Sequence, residues 1–289
     1  MKILIIGGTG AFGAFYAKLL KEAGFEVGIS SRSEEKGKEF CEKNGYTFSK
    51  SARGFDIVIL SVPNESAPKT VNAIAQDLDQ GTLLVDFCSV KSHIVPTLKK
   101  LSEQRPDLET ASIHPMHGPR IRSLAEIPIV LISIKTSAKF EVLKKFFESN
   151  SDRVFESNMQ EHDTILSVVQ GLTHYTQFVA SNVLSEMNVD LEKTLKFASP
   201  NYSIFIGLAT RVMVQNPELY SQIQLENPNN EKMRELFSKK AMELEEICRK
   251  GEAELEENII STNKIFKDPK TLLEKSDKMA EANKWKIYF

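Results

Sequence analysis

Ile3-Leu4-Ile5-Ile6-Gly7-Gly8-Thr9-Gly10-Ala11-Phe12-Gly13 is the stretch that decides the fold of this chain. An apolar strand runs straight into G-x-G-x-x-G, and a helical pattern near 12–23 comes next. In that setting Gly8 allows a tight turn, Gly10 lets backbone approach a pyrophosphate, and Gly13 lets helix pack on strand. The helix N-terminus adds amide donors and the positive end of its dipole. Gly8, Thr9, Gly10, Ala11, Phe12 and Gly13 are therefore the candidate contacts to a dinucleotide. A glycine-rich turn without ligand is the alternative, and the strand before it and helix after it favour the nucleotide. The same glycines break an uncharged run between Lys2 and Lys18 that would otherwise suit a secretion signal.

Outward from the glycines, short apolar runs alternate with amphipathic stretches. Ile3–Ile6, Glu26–Ser30, Asp56–Val62, Thr82–Phe87, Thr110–His114 and Pro128–Ile134 read as strands. Helical patterns lie near 12–23, 34–43, 65–78, 92–102 and 137–149, with less regular structure expected around 103–108 and 119–127. This alternation predicts an α/β dinucleotide-binding (Rossmann) domain with a mainly parallel sheet over residues 1–155. Beyond Asn158 no strand is expected. Ile165, Val168, Val169, Leu172, Val179, Val183 and Met187 recur at helical spacing, as the apolar face of one long helix. Ser199-Pro200 opens another helix to about Gln215, and Pro217 and Pro228 bound the segment after it. The stretch 231–286 reads as solvated amphipathic helix. Residues 156–289 are therefore expected to form an all-α domain.

Composition narrows the function. At 289 residues, 41% hydrophobic and 26% charged, the chain can bury a sizeable core in two domains. Its 37 Lys and Arg nearly balance 39 Asp and Glu, which gives no electrostatic case for nucleic acid or an anionic membrane. Cys41, Cys88 and Cys248 lie far apart and read as reduced, buried thiols of a cytoplasmic protein, without a metal site.

The end of the second predicted strand bears on the cofactor. An NAD site usually places Asp or Glu there for the ribose 2′-hydroxyl. Here the residues are Gly28-Ile29-Ser30-Ser31-Arg32, with no carboxylate before Glu34. Ser31 and Arg32 suit a 2′-phosphate, so NADP is expected, with NAD as the alternative. Two later strand ends carry Asp86-Phe87-Cys88-Ser89-Val90-Lys91 and His114-Pro115-Met116-His117-Gly118-Pro119. Ligands of open α/β sheets bind at that edge, so Ser89 and His114 are candidates to face the nicotinamide. Pro115 holds His114 in extended backbone, and an imidazole can serve as base near neutral pH. A hydrogen-bonded structural histidine is the alternative. Gln170, His174, Gln177 and Ser181 form a polar stripe without Lys or Glu, expected to be a buried pocket wall.

These residues carry a resemblance. Gly8–Gly13, Ser-Val-Pro at 61–63, Ser-Val-Lys at 89–91 and His-Pro-Met-x-Gly-Pro at 114–119 are similar, in order, to the prephenate dehydrogenases, the TyrA family of tyrosine biosynthesis. Glu-His-Asp at 161–163, Val-Val-Gln-Gly-Leu-Thr-His at 168–174, Phe-Ala-Ser-Pro at 197–200, and Arg211 before Gln-Asn-Pro at 215–217 continue the match. The archaeal-type members look nearest, and the likeness covers residues 1 to about 228. It implies oxidative decarboxylation of prephenate, with arogenate as the alternative substrate. His114 would accept the substrate hydroxyl proton and Ser89 would hydrogen-bond the hydroxyl or the imidazole. Arg211 would clamp a carboxylate, His174 and Gln170 would line the substrate pocket, and Val62 and Pro63 would border the cofactor. A homodimer is also implied.

Several residues stand apart from the pattern. His117 occupies a position commonly apolar in the family, and Gly207 stands where some members carry Lys. Arg120 is a candidate second clamp. His162 is expected to have structural or domain-orienting duty, Cys88 to be packing, and His93 to lie at the surface. A β-hydroxyacid dehydrogenase would need a Lys base from the first long helix, yet no Lys occurs between Lys145 and Lys193. A non-catalytic NADP-sensing regulator is the rival from another class. Neither an ACT nor a chorismate mutase segment is recognisable, so feedback by tyrosine would act at the active site.

Overall fold

The computed structural model describes residues 1–118 and 120–282. Its sheet has eight strands: β1 Lys2–Ile6, β2 Glu26–Ser30, β3 Thr47–Phe48, β4 Ile57–Leu60, β5 Leu83–Asp86, β6 Glu109–Pro115, β7 Ile129–Lys135 and β8 Val154–Glu156. The spatial order is β3-β2-β1-β4-β5-β6-β7-β8, and only the β6–β7 pair is antiparallel. The mainly parallel sheet is thus as expected. The two-residue β3 and three-residue β8 are additions, because neither is long enough to show a period in sequence.

Side-chain alternation builds the layers. Ile3, Ile5, Ile57, Ile59, Leu83 and Val85 point to one face. There they pack on α1 (Ala11–Glu22) through Tyr16 and Leu20, and on α5 (Ala138–Asn150) through Phe140, Leu143 and Phe147. Leu4, Val58, Leu60 and Leu84 point to the other face. They meet Val71 of α3 (Ala67–Ile74) and Ile94, Val95 and Leu98 of α4 (Lys91–Gln104). Burial on both faces explains why β4 and β5 read as unbroken apolar runs. The remaining helix of this layer, α2 (Glu34–Asn44), is capped at its start by Ser33, whose hydroxyl accepts from the Lys36 N–H.

The strand order reverses at β1, which lies between β2 and β4. That switch point opens a crevice at the carboxyl ends of the strands, where the Gly7–Gly13 loop, Ser31-Arg32, Ser61–Asn64, Ser89 and His114 all fall. Beneath it lies a fully buried ion pair. Lys91 Nζ sits 3.0 Å from Asp86 Oδ1 and also donates to the Ile113 carbonyl at 3.0 Å. Asp86 Oδ1 accepts the Cys88 N–H as well. One ammonium thereby ties the end of β5, the start of α4 and the end of β6 together.

Two compact units divide the chain: Met1–Leu166 with Leu225–Pro228, and Ser167–Gln224 with Asn229 onward. The expected single long helix is three pieces, α6 Met159–Leu166, a π-helical turn Ser167–Leu172, and α7 Thr173–Glu186. The wider turn frees the Gly171 carbonyl, which accepts from Gln224 Nε2 at 2.8 Å. A Cβ at Gly171 would lie 2.4 Å from Asn230 Oδ1, so glycine is what lets the two segments approach. The extra residue in the turn also breaks the assumed register. Ile165, Val168, Val169, Val183 and Met187, expected on one apolar helix face, are half or more exposed in the single chain. Of the polar stripe, Gln177 is buried while Gln170, His174 and Ser181 are half-buried.

The second unit continues with α8 Leu191–Leu195, α9 Pro200–Met213, α10 Pro217–Glu226, α11 Asn230–Lys250, α12 Glu252–Asn263 and α13 Pro269–Ala282. Among the described residues beyond 158 there is no strand. Ser199 caps α9 by accepting the Tyr202 N–H, with Pro200 at its first position. Phe197 is exposed, Tyr202, Phe205 and Tyr220 are half-buried, and Ile206 is buried. Cys41 and Cys88 are buried, but Cys248 is exposed on α11, where a buried thiol was expected. Among the described residues no helix is long and apolar enough to cross a membrane.

Candidate active site

The phosphate-binding end of the site is built from backbone. Gly7 takes the left-handed conformation (φ +85°), so the turn glycine stands one residue before the motif glycine Gly8 expected to hold it. The Gly7 and Gly8 N–H groups both donate to the Ser30 carbonyl, locking the loop to the end of β2. A Cβ at Gly13 would lie 2.6 Å from the Gly7 carbonyl oxygen, which is why α1 can start so close to β1. Gly10 caps α1 with backbone alone, and no acidic residue sits in the first turn. The free amides of Ala11, Phe12 and Gly13 and the exposed Gly10 therefore fit a dinucleotide pyrophosphate.

At the ribose end, Thr9 Oγ1 donates to Ser31 Oγ at 3.2 Å, which ties the loop to the end of β2. Arg32 is exposed beside it. The nearest carboxylate in sequence, Glu34, is engaged by Lys38 at 2.9 Å and by Lys50, and these two partners hold it below the usual carboxylate range. Val62 is half-buried and Pro63 exposed where β4 ends, and Asn64 behind them is buried. Asn64 Oδ1 accepts the Ser89 N–H at 3.1 Å and so fixes the loop that carries the Ser89 hydroxyl.

His114 ends β6 with only 4% of its surface exposed. Its Nδ1 lies 2.9 Å from His162 Nε2, and His162 Nδ1 lies 2.7 Å from Asp163 Oδ1. Asp163 also accepts the Lys91 N–H at 3.0 Å and the Ser92 N–H at 2.7 Å, and thereby caps α4. His114 Nε2 makes no hydrogen bond among the described residues and is not among the shut-in polar atoms. Burial pushes the His114 imidazole well below its ordinary range, and His162, Lys91 and His117 push it the same way. The structure thus pairs His162, for which structural or domain-orienting duty was expected, with the candidate base. The signal was present in Glu161-His162-Asp163, a carboxylate next to an imidazole, but sequence did not show that β6 would lie against α6.

His117 takes a different position. It stacks on Phe12 (4.9 Å, 27°), its Nε2 lies 2.7 Å from Tyr16 Oη, and its Nδ1 lies 2.8 Å from the Gly118 carbonyl. A carbonyl only accepts, so Nδ1 carries the hydrogen and Nε2 takes the Tyr16 proton. Neither nitrogen is left to act as base. Burial lowers the His117 imidazole and raises the Tyr16 phenol, which keeps both neutral. His117→Asn is expected to retain wild-type turnover and the same acidic limb in the pH profile. Loss of the ring should cost about 1–2 kcal/mol in thermal or denaturant unfolding. A collapse of turnover in a folded His117→Asn protein would contradict this assignment.

The other candidates hold the expected elements with some corrections. Cys88 is buried, and burial and Asp86 push its thiol well up, so it is inert packing. His93 is half-buried on α4, with its Nε2 shut in, where a surface position was expected. Arg120 is exposed in the loop after His117, and Pro119 of the expected motif lies outside the described residues.

In the second unit, His174 packs edge-on against Tyr220 (4.9 Å, 79°), and burial pushes its imidazole down to about 4. Tyr220 Oη donates to the Arg211 carbonyl at 3.2 Å. Arg211 is exposed near the end of α9, and its guanidinium has no partner among the described residues. His174, Tyr220 and Arg211 are therefore grouped, and Gln170 lies half-buried in the π-helical turn before His174. Tyr220 is not among the residues expected at the site from the sequence. Nothing at a single sequence position reveals that α10 folds back onto His174.

Comparison with known proteins shows the family. Residues 16–155 match the nucleotide-binding domain of prephenate dehydrogenase, and residues 158–262 match its dimerization domain. A Methanocaldococcus jannaschii protein called "Probable arogenate/prephenate dehydrogenase" is 32% identical over 261 residues, which is 88% of this chain and 58% of that protein. The T-protein of Haemophilus influenzae is 28% identical over 79% of this chain and 57% of its own length. The chain thus spans a little over half the length of these two relatives. A crystal structure of prephenate dehydrogenase from Aquifex aeolicus, in complex with hydroxyphenyl propionate and NAD+, superposes with a TM-score of 0.73. It is 24% identical, and the match covers 91% of this chain and 96% of that one. With a glycine-loop domain and a helical domain each matching its own half of one family, this chain belongs to the prephenate dehydrogenases.

Proposed function

We propose that the protein oxidatively decarboxylates prephenate to 4-hydroxyphenylpyruvate, with NADP as the hydride acceptor. One observation carries the reading: His114, its imidazole pushed well below the ordinary range by burial, has no partner at Nε2 among the described residues, at the sheet edge where the glycine loop and Ser89 also fall. The nicotinamide, when bound, takes hydride from the ring carbinol carbon. His114 Nε2 takes the hydroxyl proton, Ser89 orients that hydroxyl, and Arg211 clamps a substrate carboxylate with His174 and Gln170 beside it. Loss of the ring carboxylate as carbon dioxide leaves a phenolate oxygen, to which His114 returns the proton. The proton is borrowed rather than released, and aromatisation drives the step.

The substrate class is that of the relatives' names, one of which covers both arogenate and prephenate. Initial rates with each substrate, against NADP and NAD in turn, test the reading. It expects the highest kcat/KM with prephenate and NADP. Preference for arogenate would correct the substrate, and no turnover with either would support the sensing-regulator reading instead.

The NADP preference has its own test. Arg32→Ala should weaken NADP binding by about 1.5–3 kcal/mol, the worth of a charge-assisted pair to phosphate, and leave NAD binding nearly unchanged. Equal loss of both cofactors in a titration would remove Arg32 from the 2′-phosphate. A homodimer completes the reading. Val168, Val169, Val183, Met187 and Val214 expose apolar surface in the part that matches the family's dimerization domain. Three free cysteines fit a reducing compartment, in keeping with a cytoplasmic enzyme.

A further inference from the structure

We infer that His162 and Asp163 serve His114 as an internal proton relay, in which Asp163 sets the tautomer of both imidazoles and His162 holds the borrowed proton. The inference rests on the reading of His114 as proton acceptor. It begins with Asp163, whose two oxygens take the backbone N–H groups of Lys91 and Ser92. Burial pushes this carboxyl up, and hydrogen bonds from His162, Ser92 and Lys91 overcome that, leaving it below its ordinary value. An ionised carboxylate can only accept, so His162 Nδ1, 2.7 Å away, carries its hydrogen. Neutral His162 is then bare at Nε2. The partner 2.9 Å from that nitrogen, His114 Nδ1, must donate. His114 is thereby bare at Nε2, the nitrogen without a partner among the described residues.

The same chain accounts for where charge can rest. A proton arriving at His114 Nε2 would create an imidazolium in a buried position faced by His162, Lys91 and His117, none of them a carboxylate. If the His114 Nδ1 proton crosses to His162 Nε2, His114 becomes neutral again with its hydrogen on Nε2. The charge then sits on His162, which faces Asp163 and Asp86 as well as Lys91. Burial leaves His162 below its ordinary range too, but Asp163 and Asp86 act against that shift, as no carboxylate does for His114. One proton enters, one crosses, and the reverse steps return one to the phenolate. His162 is thus a positioning residue that acts only through His114.

The relay makes a prediction that needs no turnover. Only five histidines occur in the chain, so 15N-histidine labelling of the full-length protein resolves their tautomers in a long-range 1H–15N spectrum at neutral pH. His114 and His162 should both be protonated at Nδ1. A His114 protonated at Nε2 would overturn the relay. In the active enzyme, His162→Gln keeps an oxygen to accept from His114 Nδ1 but cannot hold a proton. NADP binding and substrate KM should stay near wild type, while kcat falls about tenfold or more and the acidic limb shifts. An unchanged kcat and pH profile in His162→Gln, with His114→Asn inactive, would sink the relay and leave the base in place. If His114→Asn also kept full turnover, both the relay and the reading beneath it would fall.

Discussion

Replacing His114 with Asn should lower turnover by about 10²–10⁴-fold, the usual worth of general acid–base catalysis. Asn keeps a polar group of similar reach but cannot take a proton. NADP binding should survive, because the Gly7–Gly13 loop and Ser31-Arg32 are built without His114. The pH profile sharpens the test. A base must be neutral, so activity falls as pH drops through its pKa. An unperturbed histidine would place that limb near 6.5. Burial beside His162, Lys91 and His117 holds His114 well below that value, so the limb of kcat/KM should lie on the acid side of it. Residual activity in His114→Asn should show no such limb. A wild-type limb above 7, or a mutant that keeps both rate and limb, would remove His114 as the base.

Arg211→Lys is expected to raise the substrate KM by ten- to a hundred-fold with little change in cofactor KM, since Lys cannot form the bidentate fork with a carboxylate. The side chain is exposed and makes no hydrogen bond or ion pair among the described residues, so its replacement breaks none there. Thermal stability should accordingly move by less than about 0.5 kcal/mol. Arg211→Ala should go further in the same direction, with loss of about 1.5–3 kcal/mol of substrate binding. Unchanged substrate KM in either folded variant would take Arg211 out of the site. A fall in kcat alone would mean that Arg211 acts on the transition state and not as a clamp.

Much of this arrangement is written in local sequence, and the exceptions have physical causes. The parallel sheet is legible because strands buried on both faces must be apolar throughout, as Ile57–Leu60 and Leu83–Asp86 nearly are. The glycine loop is legible because backbone crowding dictates residue type, although the left-handed turn falls at Gly7 rather than Gly8. The π-helical turn at Ser167–Leu172 is not, because a helix period carries no mark of one inserted residue. The pairing of His162 with His114 spans 48 residues, and the lock of His117 on Tyr16 spans 101. Tertiary packing alone brings such groups together. A lone imidazole in sequence does not show what its two ring nitrogens touch, and those contacts are what set His114, His162 and His117 apart.

The stoichiometry of carbon dioxide to reduced cofactor, monitored together as the wild-type protein turns over prephenate, tests the central claim most directly. A base that borrows one proton while the ring gives up hydride and carboxylate predicts one carbon dioxide per reduced nicotinamide, with no net proton release. Reduced cofactor without carbon dioxide would mean simple alcohol oxidation and contradict the account, as would failure to reduce either cofactor with prephenate or arogenate.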